Sequence, residues 1–444
     1  MRLKTFSRGG VHPPENKISE QKRIQVLPPP ETVVIPVSQH IGAPSKVLVQ
    51  RGDELKVGQI IAESGGFISS NIHSSVSGKV LKVDRFPDSS GYRNMAVQIQ
   101  VDGDRWLEDI DRSDDIIPHT VLGPEDIRKK ILEAGIVGLG GATFPSHVKL
   151  MVPDGKKAEY LVVNGVECEP YLTADHMLMV ERPEELRAGI EVLMKGLGVK
   201  KAILGIERNK PDAIEKMTGV CEGSNIMVQG LKVKYPQGGE KQLVQALLKR
   251  EVPSGGLPID VGVVVFNVGT AFAAYEAVMK NRPLIDRIVT VTGKSLEKPS
   301  NFQVRIGTPV SYLIEKAGGM PEDAAKVVNG GPMMGKALSS LDVPVVKGSS
   351  GIVLIPASEA ERKEVKPCIR CTKCVGVCPM GLEPYLLMTL AETGNFERME
   401  NEKVLDCIEC GSCSYTCPSS RPLLDYIRLG KVEVGKLVRA RKSV

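Results

Sequence analysis

The sequence predicts a multidomain protein in which a small all-β unit is followed by an α/β domain, a small α+β unit and a helical, cysteine-rich region. Its 444 residues exceed one ordinary core, because a domain holds about 150 residues on average. The hydrophobic pattern changes from short β-branched runs separated by turns to helices that alternate with apolar strands. Eight of the ten cysteines lie between Cys368 and Cys417, so the C-terminal region needs a fold of its own.

The composition is that of a globular protein in a reducing compartment. Apolar residues make up 42% and charged residues 25%, as in ordinary folded domains. The clustered cysteines favour metal ligation over disulfides, and thiolates that bind a metal must stay reduced, so we expect a cytosolic location. Residues 1–30 lack the apolar core of a secretory signal, and the most apolar stretch, 261–279, is interrupted by polar residues. We therefore predict no membrane span and only peripheral membrane contact.

The C-terminal tail, residues 423–444, is predicted to be basic. The whole chain has a net charge of +5, and the stretch from Arg421 onward holds seven Lys or Arg against two acidic residues. Such a tail can dock on an acidic partner or on an anionic lipid surface. A solvated and frayed terminus explains the same pattern, so the three interpretations stay open.

After an N-terminal extension, residues 1–31, the segment 32–118 reads as a small β domain. Its short β-branched runs and Gly and Asp turns predict short strands. The phrase GDELKVGQIIAE, followed by SSVSGKVLKV, resembles the barrel-sandwich hybrid of biotinyl and lipoyl carrier domains. Those carriers present a modifiable lysine at the hairpin tip, where this sequence has IHSSVSG. We therefore expect a structural or docking role for this domain.

Residues 119–284 are predicted to form the α/β domain. A helix is expected at PEDIRKKILEAG, and buried parallel strands at YLVVNG, KAILGIE and VGVVVFNVG. A glycine-rich loop, GIVGLGGATFPSHVKL, follows the helix from Gly135 to Leu150. Glycines let backbone N–H groups approach a phosphate closely, and Lys149 offers a cation. Taken alone, the loop is explained equally well as a simple tight turn.

Four motifs in the same order resemble the NADH-oxidising flavoprotein subunit of respiratory complex I. The loop resembles the GRGGAGFPTG…K segment that cradles FMN there, with Thr143 in place of the last glycine and Leu139 in place of the arginine. YLVVNGVECEPY, YPQGGEKQL and VFNVGTAF resemble its Asn-x-x-Glu-x-Glu-Pro, Tyr-x-x-Gly-Glu and Asn-Val-x-Thr segments. The resemblance implies that Glu167 and Glu169 are catalytic groups that contact NAD(H). The FMN contacts that it implies are Gly138, Gly140, Gly141, Ala142, Thr143, Phe144, Lys149, Asn164, Tyr235, Gly238, Gly239, Glu240, Asn267 and Thr270.

Two smaller domains are expected after the α/β domain. In residues 285–347 the stretch GTPVSYLIEKAGG resembles the SLBB fold, a ubiquitin-like α+β module that binds ligands. Residues 348–422 are predicted to form a helical, two-cluster ferredoxin-like domain, with helical periodicity at LEPYLLMTLAETGNF between the cysteine motifs.

The cysteine region holds two C-x2-C-x2-C-x3-C-P motifs, a spacing typical of 4Fe-4S proteins. In two-cluster ferredoxins the fourth cysteine of each motif ligates the other cluster, so we expect crossed ligand sets. Two zinc knuckles explain the motifs less well, because the spacing lacks the paired C-x2-C geometry that is usual for zinc, and because zinc binding would not explain the prolines. One predicted set is Cys368, Cys371, Cys374 and Cys417. The other is Cys407, Cys410, Cys413 and Cys378.

Nearly the whole chain resembles the C subunit of the Rnf electron-transport complex, from TFSRGGVHPPENK to CIECGSCSYTCPSSRPLLDYIR. The resemblance implies a peripheral subunit on the cytoplasmic face of the cell membrane, which exchanges electrons with NAD(H) through FMN and passes them through two 4Fe-4S clusters. The complete complex couples ferredoxin–NAD electron transfer to Na+ or H+ translocation. The implied partners are its membrane-embedded and flavin-carrying subunits and a ferredoxin-type B subunit. No nucleic-acid partner is expected.

Two other functions stay open at this stage. The cobalamin reductase of propanediol-using microcompartments resembles this chain in domain order, although the cysteine-flanking sequences VGVCPMGLEP and CSYTCPSSRPL favour the Rnf family. A relay without flavin, which only carries electrons between two proteins, is the other alternative.

Overall fold

The computed structural model describes residues 2–442. The N-terminal segment contains one short strand, β1 (Ile24–Val26), and a turn at residues 18–21, and its backbone is hydrogen-bonded to the α/β domain and to the cysteine region. The predicted N-terminal extension is thus not a free arm. In residues 2–442, no helix combines the length and the apolar composition that crossing a membrane requires.

The small β domain consists of two antiparallel sheets packed face to face. One sheet has the order β2-β8-β7-β4 and the other the order β3-β5-β6. Alternate side chains such as Val33, Ile35, Val97 and Ile99 are buried between the sheets, because successive residues of a strand point to opposite faces. The strands are β2 (Thr32–Pro36), β3 (Lys46–Val47), β4 (Glu54–Leu55), β5 (Ile60–Glu63), β6 (Ile72–His73), β7 (Gly78–Pro87) and β8 (Arg93–Val101).

The α/β domain is built on a four-stranded parallel sheet. Its elements are α1 (Pro124–Glu133), α2 (Ser146–Lys149), β9 (Tyr160–Gly165), α3 (Ala174–Glu181), α4 (Pro183–Leu197), β10 (Ala202–Glu207), α5 (Pro211–Cys221), β11 (Ile226–Leu231), α6 (Glu240–Leu248), β12 (Val263–Asn267) and α7 (Val268–Met279). The strand order is β11-β10-β9-β12, so the chain reverses direction across the sheet between β9 and β12. Open parallel sheets bind ligands at such a switch point, beyond the carboxyl ends of the strands.

The third domain is a mixed sheet with a helix packed on it. Its elements are β13 (Asp286–Gly293), β14 (Ser300–Arg305), α8 (Val310–Lys316), β15 (Ala324–Asn329), β16 (Lys336–Ala337), β17 (Gly351–Pro356) and α9 (Ala357–Ala360). The sheet order is β1-β14-β13-β17-β15-β16, so the N-terminal segment supplies an edge strand. Leu313 and Ile314 of α8 pack against Phe302 and Val304 of the sheet.

The predicted boundary at residue 348 differs from the structure. Strand β17 falls within the predicted cysteine region, yet it pairs in parallel with β13 and antiparallel with β15 at the centre of the third domain's sheet. Its partner β13 lies about 60 residues earlier in the chain, so local sequence patterns do not reveal the pairing. The third domain therefore extends to the end of α9.

The cysteine region is helical, as expected. Its helices are α10 (Lys373–Gly376), α11 (Pro384–Glu392), α12 (Phe396–Asn401), α13 (Ser412–Thr416) and α14 (Leu423–Lys442). Helix α14 covers most of the predicted basic tail, and it buries Leu423, Ile427 and Val434 in a core with Leu387 and Met399. Within the described residues the tail is thus part of the domain rather than a frayed end; positions 443 and 444 lie outside them.

Candidate functional site

The four flavin motifs meet at the carboxyl edge of the parallel sheet. Asn164 and Asn267 lie side by side in the β9–β12 register, at the switch point. The glycine loop reaches the same place: a Cβ added to Gly140 would lie 3.4 Å from the Cβ of Asn267. The backbone N–H of Leu139 donates to Thr270 Oγ1 at 2.9 Å. Motifs that are separated in the sequence therefore lie together at one site.

The glycine loop presents free backbone donors to solvent. It is closed by a hydrogen bond from Gly138 N to the Phe144 carbonyl at 2.8 Å. Gly140, Gly141 and Ala142 are exposed, and within the described residues the N–H groups from Gly140 to Thr143 donate to no protein acceptor. A row of free N–H groups in a turn binds anions such as phosphate. The loop therefore fits the phosphate group of FMN.

Thr143 adopts the left-handed backbone region, with φ of +51°. A non-glycine residue there costs about 1–2 kcal/mol, which explains why the related loop has glycine at this position. The Thr143 side chain packs on Gly348 of the third domain, where an added Cβ would lie 2.8 Å from Thr143 Cγ2. The third domain thus supports the loop from outside.

The two asparagines order the loops around the site. Asn164 Nδ2 donates to the Gly238 carbonyl at 2.9 Å, which ties the second motif to the third. Asn267 Oδ1 accepts from Gly269 N at 2.8 Å and so caps α7, while its Nδ2 donates to Asp175 Oδ2 at 2.7 Å. Both asparagines therefore hold the frame of the site. Their predicted contact with FMN stays a prediction.

Lys149 has a carboxylate partner. Its Nζ lies 2.5 Å from Glu240 Oε1 and donates to the Val265 carbonyl at 2.7 Å. Glu240 opens α6 directly after Gly239. The pair joins the glycine loop's helix to α6, and much of the lysine charge is already neutralised. The predicted contact of Lys149 with a phosphate is not tested by this arrangement.

Glu167 and Glu169, the predicted catalytic carboxylates, accept hydrogen bonds from the backbone. Glu167 accepts from Asp175 N at 2.8 Å and from His176 N at 3.1 Å, so it caps α3. Glu169 accepts from Met333 N at 3.1 Å and Met334 N at 2.8 Å in a turn of the third domain. Burial raises the pKa of Glu169 to about 7. These carboxylates therefore fix loops, and their contact with NAD(H) stays a prediction.

Tyr235 lies on the side of the α/β domain that faces the cysteines. Its hydroxyl donates to the Cys410 carbonyl at 2.8 Å and lies 3.4 Å from Glu169 Oε1. Only 2% of its surface is exposed. A residue predicted to contact FMN thus joins the α/β domain to the second cysteine motif.

Sequence reasoning missed two charged groups in this site. Lys17 Nζ donates to the carbonyls of Glu167, Glu169 and Leu172 at 2.8, 2.9 and 2.7 Å, and burial lowers its pKa to about 8. Burial, and then the charge of Glu167, raise the pKa of Asp175 to about 7. Lys17 lies 150 residues from its first partner, so no local pattern could reveal it. The only signal for Asp175 is its place in the first turn of a helix after the Glu-x-Glu-Pro segment.

The eight motif cysteines line two separate cavities. One cavity contains Cys378, Cys407, Cys410 and Cys413, and we call these four the inner set. The other contains Cys368, Cys371, Cys374 and Cys417, which we call the outer set. Each cavity thus combines three cysteines of one motif with the fourth of the other, as the predicted crossed ligation requires.

The thiols of each set surround a space rather than one point. Across residues 2–442, no group of three or more His, Cys, Asp or Glu side chains is arranged to hold a single metal ion. A 4Fe-4S cluster requires four thiols placed around a cavity, because its four cysteines bind four different iron atoms. The donors are all thiols, which suit iron–sulfur chemistry. Both sets therefore fit a 4Fe-4S cluster.

Four known families match successive parts of the chain. Residues 4–104 match the RnfC barrel sandwich hybrid domain, 131–276 the Nuo51 FMN-binding domain, 288–337 the SLBB domain and 360–418 the 4Fe-4S dicluster domain. The predicted domain types and the predicted cofactors, FMN and two 4Fe-4S clusters, are thereby confirmed. A chain of an NAD+-reducing NiFe-hydrogenase in the H2-reduced state has a similar fold, with a TM-score of 0.50 and 17% identity over 69% of this chain and 61% of that one.

Two full-length relatives define the family. The chain is 48% identical over 434 residues to the C subunit of the proton-translocating ferredoxin:NAD(+) oxidoreductase complex of Clostridium ljungdahlii, covering 97% of this chain and 94% of that protein. It is 46% identical over 432 residues to the C subunit of the Na(+)-translocating ferredoxin:NAD(+) oxidoreductase complex of Acetobacterium woodii, covering 96% of both. The protein therefore belongs to the family of C subunits of the Rnf-type, ion-translocating ferredoxin:NAD+ oxidoreductase complexes.

Proposed function

We propose that the chain is the NAD(H)-reactive subunit of an ion-translocating ferredoxin:NAD+ oxidoreductase, and that its two cysteine sets relay electrons between its flavin domain and partner subunits. The observation that carries this proposal is the contact between Tyr235 of the flavin domain and Cys410 of the inner set. Bound FMN would supply the exchange between a two-electron hydride and single electrons. The relatives' names supply the reaction of the whole complex.

The chain's own residues have distinct proposed roles. The N–H groups from Gly140 to Thr143 hold the FMN phosphate, and Asn267 and Thr270 hold that loop at the switch point. We assign Glu167 and Glu169 a positioning role, because the oxygens of each accept two backbone N–H groups, and their contact with NAD(H) stays a prediction.

The burial of the two cysteine sets supports an order for the relay. Cys378, Cys410 and Cys413 are each no more than 9% exposed, and Cys410 contacts Tyr235 of the flavin domain. Cys368 and Cys371 are exposed, together with every residue from 361 to 373. The inner set thus exchanges electrons with the flavin domain, and the outer set exchanges electrons with a partner.

The partners proposed for the outer set are the membrane-embedded and flavin-carrying subunits of the complex and a ferredoxin-type B subunit. The residues around its exposed thiols are predominantly basic, including Arg362, Lys363, Lys366, Arg370 and Lys373 against Glu361 and Glu364. This charge favours a partner with an acidic docking face. Binding to such partners at the cytoplasmic face of the membrane would make the chain a peripheral subunit.

Anaerobic titration of the reconstituted chain with NADH tests the proposed function. We expect the flavin absorbance to bleach and the cluster absorbance to decrease in the same titration. Bleached flavin beside fully oxidised clusters would contradict the relay. A reconstituted chain without flavin that still carries electrons between two proteins would favour the simple iron–sulfur relay instead.

The flavin site has a separate test at Ala142, an exposed residue of the glycine loop. Ala142→Glu places a negative charge next to the free N–H groups and should weaken FMN binding by about 1–3 kcal/mol relative to Ala142→Gln. Ala142→Gln has almost the same size without the charge and is the matched control. Equal FMN affinity of the two variants, measured by fluorescence titration, would move the phosphate away from this loop.

A further inference from the structure

The segment from Lys4 to Lys17, which we call the strap, contains the motif TFSRGGVHPPENK, and the proposed function does not use it. The strap covers the edge of the parallel sheet. Lys4 N donates to the Gly230 carbonyl at 3.1 Å, and Lys232 N donates back to the Lys4 carbonyl at 2.9 Å. Val11 and Tyr235 exchange a second pair of backbone bonds, at 2.8 and 2.9 Å. The strap is therefore bound to the flavin domain at two places.

The strap is also bound to the cysteine region. Gly10 N donates to the Val377 carbonyl at 2.8 Å, directly before the inner-set residue Cys378. Gly9 and Gly10 have φ of +66° and +91°, a region that favours glycine. A Cβ added to Gly9 would lie 2.6 Å from the carbonyl carbon of Cys378 and 2.6 Å from the Val377 oxygen. The backbone of the strap thus packs directly on the peptide of a predicted cluster ligand.

Arg8 extends this contact. A Cβ added to Gly381 would lie 2.2 Å from Arg8 Cζ, so the guanidinium covers the turn that follows Cys378. An apolar cluster fills the same junction, with Val11, Tyr235 and Cys410 buried and Met333 and Val377 packed against them. The strap, the flavin domain, the third domain and the cysteine region all contribute to this cluster.

Tyr235 closes the set of contacts. Its backbone is bound to Val11 of the strap, and its hydroxyl donates to the Cys410 carbonyl. The strap contacts the Cys378 peptide, while Tyr235 contacts the Cys410 carbonyl. The inner set therefore has one ligand from each cysteine motif fixed to the flavin domain.

We propose that the strap is a positioning element that fixes the inner cysteine set against the flavin domain and thereby sets the rate of electron transfer into the relay. This inference rests on the proposed function. Its physical basis is the steep decrease of electron-transfer rates with distance, which makes the separation of two redox centres critical. Gly9 is required because any side chain there meets the Cys378 peptide, and a Cβ added to Gly10 would lie 2.9 Å from the Tyr235 carbonyl oxygen.

The test compares Gly9→Ala with Gly103→Ala. Gly103 has φ of +70°, close to the +66° of Gly9, but a Cβ there meets no heavy atom within 4 Å. The two alanines therefore carry a similar backbone strain, and only the first displaces the Cys378 peptide. Arg8→Ala, which removes a contact without backbone strain, is a milder second variant in case Gly9→Ala loses its iron.

Stopped-flow mixing with NADH separates the two steps in chains matched for iron and FMN content. We expect flavin reduction to be unchanged in all variants. Cluster reduction should slow several-fold in Gly9→Ala, because the added side chain displaces the Cys378 peptide and electron-transfer rates decrease steeply with distance. Arg8→Ala should slow it less, and Gly103→Ala should match the parent chain. Equal cluster reduction in Gly9→Ala and Gly103→Ala would overturn the inference.

Hydrogen exchange gives a readout that does not depend on NADH. Faster exchange at Val11, at Tyr235 and in residues 378–382 of Gly9→Ala supports the strap as a clamp, and unchanged exchange there overturns it. If the parent chain's clusters are not reduced by NADH at all, the proposed function fails, while this measurement still decides on the clamp.

Discussion

The inner and outer cysteine sets arise from the same sequence motif but lie in opposite environments. The inner set is covered by Tyr235, the strap, and a turn of the third domain: a Cβ added to Gly411 would lie 2.8 Å from the Met333 carbonyl. Two cysteines of the outer set, Cys368 and Cys371, belong to a segment that is exposed from residue 361 to 373. The C-x2-C-x2-C-x3-C-P spacing therefore specifies that a cluster is bound. The surrounding domains determine which partners can exchange electrons with it.

The largest effect, the loss of a whole cluster, is expected from replacing the fourth cysteine of one motif. Cys378→Ser should remove the inner cluster and about four of the eight iron atoms, because Cys378 shares its cavity with Cys407, Cys410 and Cys413. The matched variant Cys417→Ser should remove the outer cluster instead. Iron analysis and EPR of the two variants measure this. Loss of the same signal in both would refute the crossed ligand sets.

A smaller difference should appear in resistance to iron chelators. The outer cluster should lose iron several-fold faster than the inner one, since Cys368 and Cys371 are exposed whereas Cys410 is 8% exposed. EPR spectra taken during chelation follow each cluster separately. Equal rates of loss for both signals would show that burial does not distinguish the two sites.

Tyr235 offers a milder change on the inner side. Tyr235→Phe leaves the Cys410 carbonyl without its hydroxyl donor, which should cost about 1–3 kcal/mol in the free energy of unfolding. The variant also loses the O–H dipole beside the inner cluster, which stabilises an added electron, so the midpoint potential of the inner cluster should become more negative. Urea unfolding and EPR-monitored redox titration test both expectations.

The control for this variant lies beside the outer set. Tyr385 is partly exposed, and its hydroxyl donates to Glu383 at 2.9 Å rather than to a cysteine. Tyr385→Phe should therefore leave the inner potential unchanged. A shift of the outer rather than the inner potential in Tyr235→Phe would contradict the proposed order of the relay.

Much of this organisation could be predicted from the sequence, because it depends on local spacing. The cysteine motifs, the glycine loop and the strands that end at Asn164 and Asn267 are each specified by residues close together in the chain. The resemblance of four ordered motifs to a flavoprotein predicts one shared site, and the structure brings them together at the switch point.

The features that sequence reasoning missed are contacts between distant segments. Lys17 binds carbonyls 150 residues away, β17 joins a strand about 60 residues earlier, and Gly9 packs on Cys378. The charge pattern predicts only a basic tail where the structure has helix α14, although Leu423, Ile427 and Val434 follow a helical spacing that buries one face. Attention to that spacing could have predicted the helix.

The smallest expected effect is a pH dependence at the covered junction. Burial raises the pKa of Glu169 from its usual 4.5 to about 7. Between pH 4.5 and about 7 Glu169 in the folded chain therefore holds a proton that the unfolded chain has released, so the contribution of Glu169 to the free energy of unfolding falls as the pH rises through this window. Above pH 7 this loss of stability is complete. Glu207, Asp175 and Glu276 also have a pKa raised to about 7 and contribute in the same direction.

Glu169→Gln isolates the contribution of this one carboxyl. The amide oxygen can accept only one of the two N–H groups of Met333 and Met334, which lowers stability at every pH, but the amide does not ionise. The variant should therefore lose about 1–2 kcal/mol less stability than the parent chain between pH 5 and pH 8. Glu251→Gln changes an exposed glutamate and should follow the parent chain. Urea midpoints at the two pH values measure the difference. If Glu169→Gln and Glu251→Gln show the same pH dependence, the junction over the inner set is more hydrated than its burial indicates. The difference in solvent exposure between the two cysteine sets is then correspondingly smaller.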